Sequence, residues 1–229
     1  MTTLRKLSAP AASAAREINK VCRRALAGRD ILPWRPFCVE EERVMSISTE
    51  TLVSRQEIMK GKVLHVTVDT VEIDDGQGGE KKTAVREAVW HFGACAILPV
   101  TDDGKIILVR QYRYAAGEPM LEVPAGKIEH NGESPDICAA RELEEEAAVT
   151  AGELIPLGYV YTSPGFCDER IYLYLARKLH KGAQHLDDDE FMNIERYTPQ
   201  EVEELIADNK IVDAKTIAAF EKSRKYLRI

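Results

Sequence analysis

A run of carboxylates in the middle of the chain is the feature best suited to do chemistry. Ser134-Pro135 predicts a helix start, because serine caps helices well and proline at the first helical position loses no hydrogen bond. At about 100° per residue, Glu142, Glu145 and Glu146 then share one face. Glu144 points away from that face, toward solvent. Three like charges on one face repel one another, so the cluster indicates a bound hard divalent cation; a solvated acidic face is the alternative.

The residues around this helix resemble the Nudix box, G-x5-E-x7-R-E-U-x-E-E-x-G-U, where U is a bulky aliphatic residue. Two positions depart from that pattern. Six residues, rather than five, separate Gly126 from Glu133, and Ala148 stands where the second glycine belongs. Because that glycine usually ends the helix, we expect Gly152 to take over its role. The remaining matches are Arg141, Glu142, Leu143, Glu145, Glu146 and Val149.

Beyond the box, residues 57–220 are similar to the ADP-ribose pyrophosphatase branch of the Nudix hydrolases. In that branch a proline follows the box at a set interval, which Pro164, fifteen residues after Val149, matches. The resemblance implies hydrolysis of the pyrophosphate bond of ADP-ribose to AMP and ribose 5-phosphate. The other similar segments are KGK at 60–62, RE at 86–87, HFGA at 91–94, VRQYR at 109–113, LEVPAG at 121–126, SPGF at 163–166 and DAKT at 213–216.

The resemblance also implies a metal cofactor, Mg²⁺ or Mn²⁺. Glu142 and Glu146 are the expected main ligands, Glu145 ligates directly or through water, and the carbonyl of Ala125 completes the site. Such an ion neutralises charge on phosphate oxygens and acidifies a bound water.

Two further carboxylates have implied roles outside the helix face. Glu133 is expected to form a salt bridge with Arg141 that supports the loop against the helix. Glu169 ends the loop 163–169 and is the candidate general base or further metal ligand, provided that this loop faces the box across a cleft. The alternatives are a solvated loop carboxylate or the neighbouring Asp168.

Three arginines are the candidate residues for binding the phosphates or the terminal ribose, because a guanidinium matches phosphate oxygens bidentately. They are Arg86, Arg110 and Arg113, and each could instead form a surface ion pair. Trp90 or Tyr112 could stack on adenine, although aromatic residues on strands usually belong to the core. The five histidines lack metal-ligand spacing and are predicted to be structural.

The elements that must position these residues are mainly strands. Asp102-Asp103-Gly104 predicts a tight turn, so the strands that flank it should pair antiparallel. Thr198-Pro199 predicts a second helix start. Together the pattern and the resemblance predict an α/β (α+β) Nudix fold, a mixed β-sheet sandwiched between helices (α/β/α). Strands are predicted at 62–73, 83–90, 93–100, 105–112, 154–162, 170–176 and 191–197.

The amino-terminal part of the 229-residue chain differs in composition. Residues 1–44 carry nine Lys/Arg against five Asp/Glu, although the whole chain has a net charge of −7. We interpret residues 1–44 as an extension, disordered or helical, and residues 45–229 as the Nudix domain, with N-terminal strands at 53–90 and a catalytic core at 91–229. Residues 1–28 also resemble an organelle transit peptide; otherwise a cytoplasmic location is expected.

Composition limits the partners. The net negative charge argues against a broad nucleic-acid surface, and no apolar run reaches the roughly 20 residues of a membrane span. The five cysteines lack C-x-x-C spacing, which indicates reduced thiols. The expected partners are a small-molecule nucleotide and, by resemblance, a second copy of the chain in a homodimer that exchanges N-terminal strands. In such a dimer, Arg86 or Trp90 of one chain would line the substrate pocket of the other chain.

Three alternatives to an ADP-ribose pyrophosphatase stay open. The first is hydrolysis of another nucleoside diphosphate derivative, such as ADP-glucose or another nucleotide sugar, NADH or a dinucleoside polyphosphate. The second is a non-catalytic nucleotide sensor on the same fold. Two departures from the pattern favour it: the residue inserted before Glu133, and the alanine at position 148. The third is a purely structural acidic helix. The presence of all three metal-facing glutamates favours an enzyme.

Overall fold

The computed structural model describes residues 47–76, 78–129, 132–183 and 191–227. The predictions for residues 1–44, and for a transit peptide within residues 1–28, lie outside the described residues. Ser46–Ile229 form one compact unit. No helix in the described ranges has both the length and the apolar character to cross a membrane.

Strands dominate the described part of the chain, as predicted, with helices after the seventh and tenth strands. The strands are β1 Thr49–Lys60, β2 His65–Asp74, β3 Lys82–Trp90, β4 Ala94–Pro99, β5 Ile106–Arg113, β6 Glu118–Glu122, β7 Ala125–Lys127, β8 Val149–Tyr161, β9 Arg170–Lys181 and β10 Met192–Tyr197. The helices are α1 Pro135–Ala147, α2 Pro199–Ala207 and α3 Ala214–Ser223, and a 3-10 turn at Arg224–Tyr226 follows.

The strands form three sheets. β1, β2 and β3 make an antiparallel sheet, and a second antiparallel sheet has the order β10-β5-β6. The third has the order β7-β4-β9-β8 and is mixed, because β4 and β9 run parallel.

The predicted antiparallel pairing across Asp102-Asp103-Gly104 is wrong. Only a single bridge, between Val100 and Ile106, joins the flanking strands. Both edges of β4 are already occupied, by β7 and β9, so β5 diverges and pairs with β6 and β10 instead. The tight turn itself is present, closed by a hydrogen bond from the amide of Thr101 to the carbonyl of Lys105.

The mixed sheet is sandwiched between helices because β4 and β9 are apolar on both faces. α1 packs on one face and α3 on the other. This arrangement explains the continuous apolar run of β4, which is typical of a strand covered on both sides. The α/β/α fold is therefore confirmed. The α3 side contains Ala96, Leu98, Leu173, Leu175 and Phe220, and the α1 side contains Cys95, Ile97, Leu143 and Tyr174.

Helix α1 begins as predicted and ends differently. The Ser134 side chain caps its start by accepting a hydrogen bond from the amide of Ile137. At the other end, Ala148 itself adopts the left-handed conformation, with φ of 56°, and its amide donates to the Glu144 carbonyl. The expectation that Gly152 ends the helix is wrong, because this residue lies within β8. Alanine thus occupies a conformation that glycine adopts at lower cost.

Replacing Ala148 by glycine should stabilise the protein. The left-handed conformation costs a non-glycine residue about 1–2 kcal/mol, and the extra freedom of glycine in the unfolded chain offsets about 0.4–1 kcal/mol of that. We therefore expect Ala148→Gly to raise the free energy of unfolding by roughly 0.5–1 kcal/mol in urea titrations.

Asn209→Gly is the matched control for that substitution. Asn209 also has a left-handed φ, of 54°, but asparagine tolerates this conformation better than alanine does, so its gain should be smaller. A lower free energy of unfolding for Ala148→Gly would contradict the assignment of strain at this helix end.

Candidate active site

A cleft of about 920 Å³ brings the predicted site residues together. Helix α1 supplies Glu142, Glu145 and Glu146 to its lining, and the loop between β8 and β9 supplies Ser163 and Glu169. The acidic helix and the loop that ends at Glu169 therefore face one space, as the sequence predicted.

Arg141 is bonded to three carboxylates at the centre of this cleft. Its Nε and Nη2 donate to the two oxygens of Glu133, at 2.9 and 3.1 Å, and its Nη2 also donates to the carbonyl of Lys127 at 3.2 Å. Its Nη1 donates to Glu142 Oε1 at 2.7 Å and to Glu145 Oε2 at 2.9 Å. The hydrogen bonds to Glu133 raise the pKa of Arg141 and lower the pKa of the Glu133 carboxyl. Arg141 thus offsets part of the like charge on the helix face, at Glu142 and Glu145.

Glu133 also closes the loop that precedes α1. Its Oε2 accepts a hydrogen bond from the amide of Glu129 at 3.0 Å, in addition to the bonds from Arg141. The one-residue insertion before Glu133 therefore leaves the loop attached to the helix.

Glu142 and Glu146 pack against the backbone that enters the cleft. Their exposed fractions are 9% and 3%, and Glu146 Oε2 accepts a hydrogen bond from the amide of Ala125 at 2.8 Å. A Cβ atom on Gly126 would lie only 1.8 Å from Glu142 Oε1. A larger residue at the first glycine of the pattern would therefore displace the Glu142 carboxylate, which fills this space.

These residues fit a divalent cation in ligand type. The carboxylates of Glu142, Glu145 and Glu146 and the backbone carbonyl of Ala125 are hard oxygen ligands, and they lie in or beside one partly buried pocket. Within the described residues, no three acidic, histidine or cysteine side chains are already arranged around one point. Instead, Arg141 bonds to Glu142 and Glu145.

The Glu144 side chain lies outside the cleft, but it is partly buried rather than in solvent. Its Oε1 would be 3.3 Å from a Cβ atom on Gly182, at the end of β9. Packing between the last turn of α1 and the neighbouring strand therefore covers a side chain that helix periodicity alone places in water.

Glu169 is held at the opposite wall by a hydrogen bond from Thr162 and lies near His91. The hydroxyl of Thr162 donates to Glu169 Oε2 at 2.8 Å, and Glu169 Oε1 lies 3.5 Å from His91 Nδ1. The alternative candidate, Asp168, lies outside the cleft lining, and its Oδ1 accepts a hydrogen bond from the backbone amide of His91 at 2.7 Å. Of the two loop carboxylates, Glu169 alone is among the residues that line the cleft.

The end of β3 holds this loop in place through the backbone. The amide of Val89 donates to the carbonyl of Phe166 at 2.8 Å, and the amide of Asp168 donates to the carbonyl of Val89 at 3.2 Å. The N-terminal sheet therefore determines where Glu169 stands.

Only one of the three candidate substrate-binding arginines lines the cleft. Arg113 lines the cleft, whereas Arg86 and Arg110 do not, and each of these two forms an ion pair, with Glu50 and Glu195 respectively. For Arg86 and Arg110, this is the alternative that the sequence analysis left open, a surface ion pair.

Trp90 and Tyr112 also lie away from the lining of the cleft. The indole of Trp90 donates to Thr67 Oγ1 at 2.9 Å, and the guanidinium of Arg55 lies 4.2 Å from its ring. The Tyr112 side chain is exposed. A place for Trp90 or Arg86 in the pocket of a second chain stays a prediction.

Several cleft residues were not assigned a role from the sequence. His91 was predicted to be structural, and its Nδ1 does accept a hydrogen bond from the amide of Gly93, yet it also lines the cleft beside Glu169. Lys215 and Asp213 form another part of the lining and contact each other at 3.1 Å. The only sequence signal for them was the similarity of the segments at 91–94 and 213–216.

Comparisons with known proteins agree with this geometry. A model of the NUDIX domain matches residues 90–220. The chain is 40% identical to an ADP-ribose pyrophosphatase of Bacillus subtilis (strain 168) over 174 residues, which is 75% of this chain and 91% of that protein. It is also 40% identical to a methanol dehydrogenase activator of Bacillus methanolicus over 172 residues, 74% of this chain and 90% of that protein.

More distant matches are consistent with the same fold. A GDP-mannose pyrophosphatase of Yersinia enterocolitica is 32% identical over 184 residues, covering 76% of this chain and 93% of that protein. The crystal structure of an ADP compounds hydrolase superposes with a TM-score of 0.65 at 22% identity, covering 79% of this chain and 95% of the other, so it shares the fold.

Proposed function

The chain belongs to the NUDIX family and is a hydrolase of nucleoside diphosphate compounds; we propose that it cleaves ADP-ribose to AMP and ribose 5-phosphate. The observation that carries this proposal is the meeting of Glu142, Glu145 and Glu146 with Glu169 and Arg113 in one cleft. Such a cleft combines a site for a cation, a proton acceptor and a phosphate-binding group. The ADP-ribose pyrophosphatase of B. subtilis, matched over 91% of its length, supports the choice of substrate.

The acidic wall of the cleft would hold Mg²⁺ or Mn²⁺. Glu142 and Glu146 are the proposed main ligands, with Glu145 and the carbonyl of Ala125 completing the site. When bound, the ion neutralises charge on the phosphate oxygens and lowers the pKa of a bound water. Arg141 holds Glu142 and Glu145 on one side of the helix, and it ties the helix to the loop through Glu133.

The other walls supply the proton acceptor and the phosphate contact. Glu169 would accept a proton from the attacking water, and the hydrogen bond from Thr162 to its Oε2 supports this role by holding the carboxylate at the cleft. Arg113 reaches into the cleft and would donate hydrogen bonds to phosphate oxygens. The partner is thus a small-molecule nucleotide.

Glu146→Gln should lower kcat/KM on the order of 100-fold, because a proposed metal ligand is lost while the side-chain volume is kept. Binding of Mn²⁺, measured by calorimetry, should weaken in parallel. Glu144→Gln, on the same helix but outside the cleft lining, is the matched control and should leave both measurements unchanged. Turnover that is unaffected by Glu146→Gln would contradict the metal assignment.

The substrate itself is tested by release of the nucleoside monophosphate from ADP-ribose, ADP-glucose, GDP-mannose, NADH and diadenosine polyphosphates, each with and without Mg²⁺. We expect the highest kcat/KM for ADP-ribose and little turnover without the ion. The GDP-mannose pyrophosphatase relative makes nucleotide sugars the second candidate class, and a higher value for one of them would select that alternative. No turnover of any compound would reject an enzyme in favour of a sensor.

We further propose that the active protein is a homodimer formed through the N-terminal sheet. β1 is exposed along its whole length, and it is an edge strand paired only with β2 among the described residues. Four of its large apolar side chains, Leu52, Val53, Ile58 and Met59, are between 47% and 59% exposed. An apolar, unpaired edge of this kind favours association with another chain.

Light scattering should therefore give the mass of two 25.7 kDa chains. Ile58→Glu should shift the protein toward the monomer, because it places a charge within the proposed contact. A monomeric mass for the unmutated protein at micromolar concentration would reject the dimer.

A further inference from the structure

A buried carboxylate lies behind the wall of the cleft that carries Arg113. Glu122 is fully buried, and its two oxygens accept hydrogen bonds from Arg113 Nε at 2.8 Å and from Arg113 Nη2 at 2.7 Å. Lys215 Nζ also donates to Glu122 Oε2. Burying an ionised carboxylate is costly unless it is paired and hydrogen-bonded, and here two cations meet that requirement.

This pairing fixes which edge of Arg113 faces the cleft. The guanidinium uses Nε and Nη2 for Glu122, and its Nη1 has no hydrogen-bond partner among the described residues. The side chain is 41% exposed and lines the cleft. The free Nη1 edge is therefore held ready for an oxygen ligand that enters the cleft.

Lys215 balances the charge on this wall. Besides Glu122, its Nζ lies 3.1 Å from Asp213 Oδ1, and Asp213 accepts hydrogen bonds from the amide and the hydroxyl of Thr216 at the start of α3. The wall thus holds two cations, Arg113 and Lys215, against two carboxylates. Without Lys215 it would carry a net negative charge toward an anionic substrate.

The other candidate arginines provide a comparison within the same chain. Arg86 and Arg110 also donate through Nε and Nη2 to one carboxylate each, but they lie outside the cleft. The side chains of their partners, Glu50 and Glu195, are 41% and 28% exposed, whereas that of Glu122 is 0% exposed. Only Arg113, of these three, is oriented by a carboxylate that water does not reach.

We propose that Glu122 is a positioning residue that holds the Nη1 edge of Arg113 toward the diphosphate of the substrate, with Lys215 as the cation that keeps this wall from becoming negative. The inference rests on the proposed function, because it assigns a phosphoryl oxygen as the ligand of Arg113. Glu122 acts through Arg113 and does not touch the substrate.

Steady-state kinetics of the full chain test this role, with the best substrate of the panel above. Glu122→Gln should raise KM by about tenfold, because a misaligned guanidinium loses a charge-assisted hydrogen bond, and should leave kcat nearly unchanged. Glu195→Gln, which removes the same kind of partner from Arg110 on the same strand, is the matched control and should keep the original KM.

A second pair of variants tests the charge balance of this wall independently of Glu122→Gln. Lys215→Met keeps the Arg113–Glu122 pair and should raise KM, because it leaves a net negative charge on the wall. Lys215→Arg keeps the positive charge and should therefore have the KM of the unmutated protein. In an Arg113→Ala background, Glu122→Gln should add no further increase in KM. Variants that lower the unfolding midpoint but keep KM, or effects that add to that of Arg113→Ala, would reduce Glu122 to a structural role and overturn the inference.

The unmutated protein separates this test from that of the proposed function. If it hydrolyses no nucleoside diphosphate compound of the panel, the proposed function fails. If it does hydrolyse one, and both Glu122→Gln and Lys215→Met keep the original KM, the positioning role alone fails.

Discussion

The guanidinium of Arg141 is the interaction on which the site depends. It joins Glu133 of the loop, Glu142 and Glu145 of the helix and the carbonyl of Lys127. Without a positive group at this point, carboxylates held on one helix face would repel one another and destabilise the helix. A planar, permanently charged group with several N–H donors suits this role better than the point charge of lysine. The same residue thus makes the acidic face compatible with folding and holds the loop in place.

The two-sided core explains why this arrangement is stable. β4 and β9 are covered on one face by α1 and on the other by α3. The first face positions the acidic helix, and the second positions the start of α3, where Asp213 and Lys215 reach the cleft. The amide of Val123 donates to the hydroxyl of Thr216, which attaches α3 to the segment that leads into Ala125. The walls of the cleft are therefore built from opposite sides of one sheet.

The sequence predicted much of the fold and of the acidic wall because local signals were strong. Ser134-Pro135 and Thr198-Pro199 are local capping signals, and both predicted helix starts are correct. The pairing across Asp102-Asp103-Gly104 was wrong because the partner of a strand depends on which of its edges other strands occupy. The end of α1 was also wrong, since packing holds Ala148 in a conformation that its side chain disfavours.

The Arg113 wall was hidden from sequence reasoning for a related reason. Glu122 and Lys215 are 93 residues apart, and nothing in either segment shows that they meet. The sequence made all three arginines candidates, and no feature of it selected Arg113. Only burial of the partner and location in the cleft separate Arg113 from Arg86 and Arg110.

The backbone attachment of the loop 163–169 to β3 allows the sequence of the loop to vary in part. Val89 holds the loop through the backbone of Phe166 and Asp168, and main-chain hydrogen bonds do not depend on which side chains the loop carries. The Phe166 side chain is exposed, so this position is free to diverge while the carboxylate of Glu169 keeps its place. Relatives that accept different nucleotide compounds could therefore alter this rim of the cleft without rebuilding its catalytic wall.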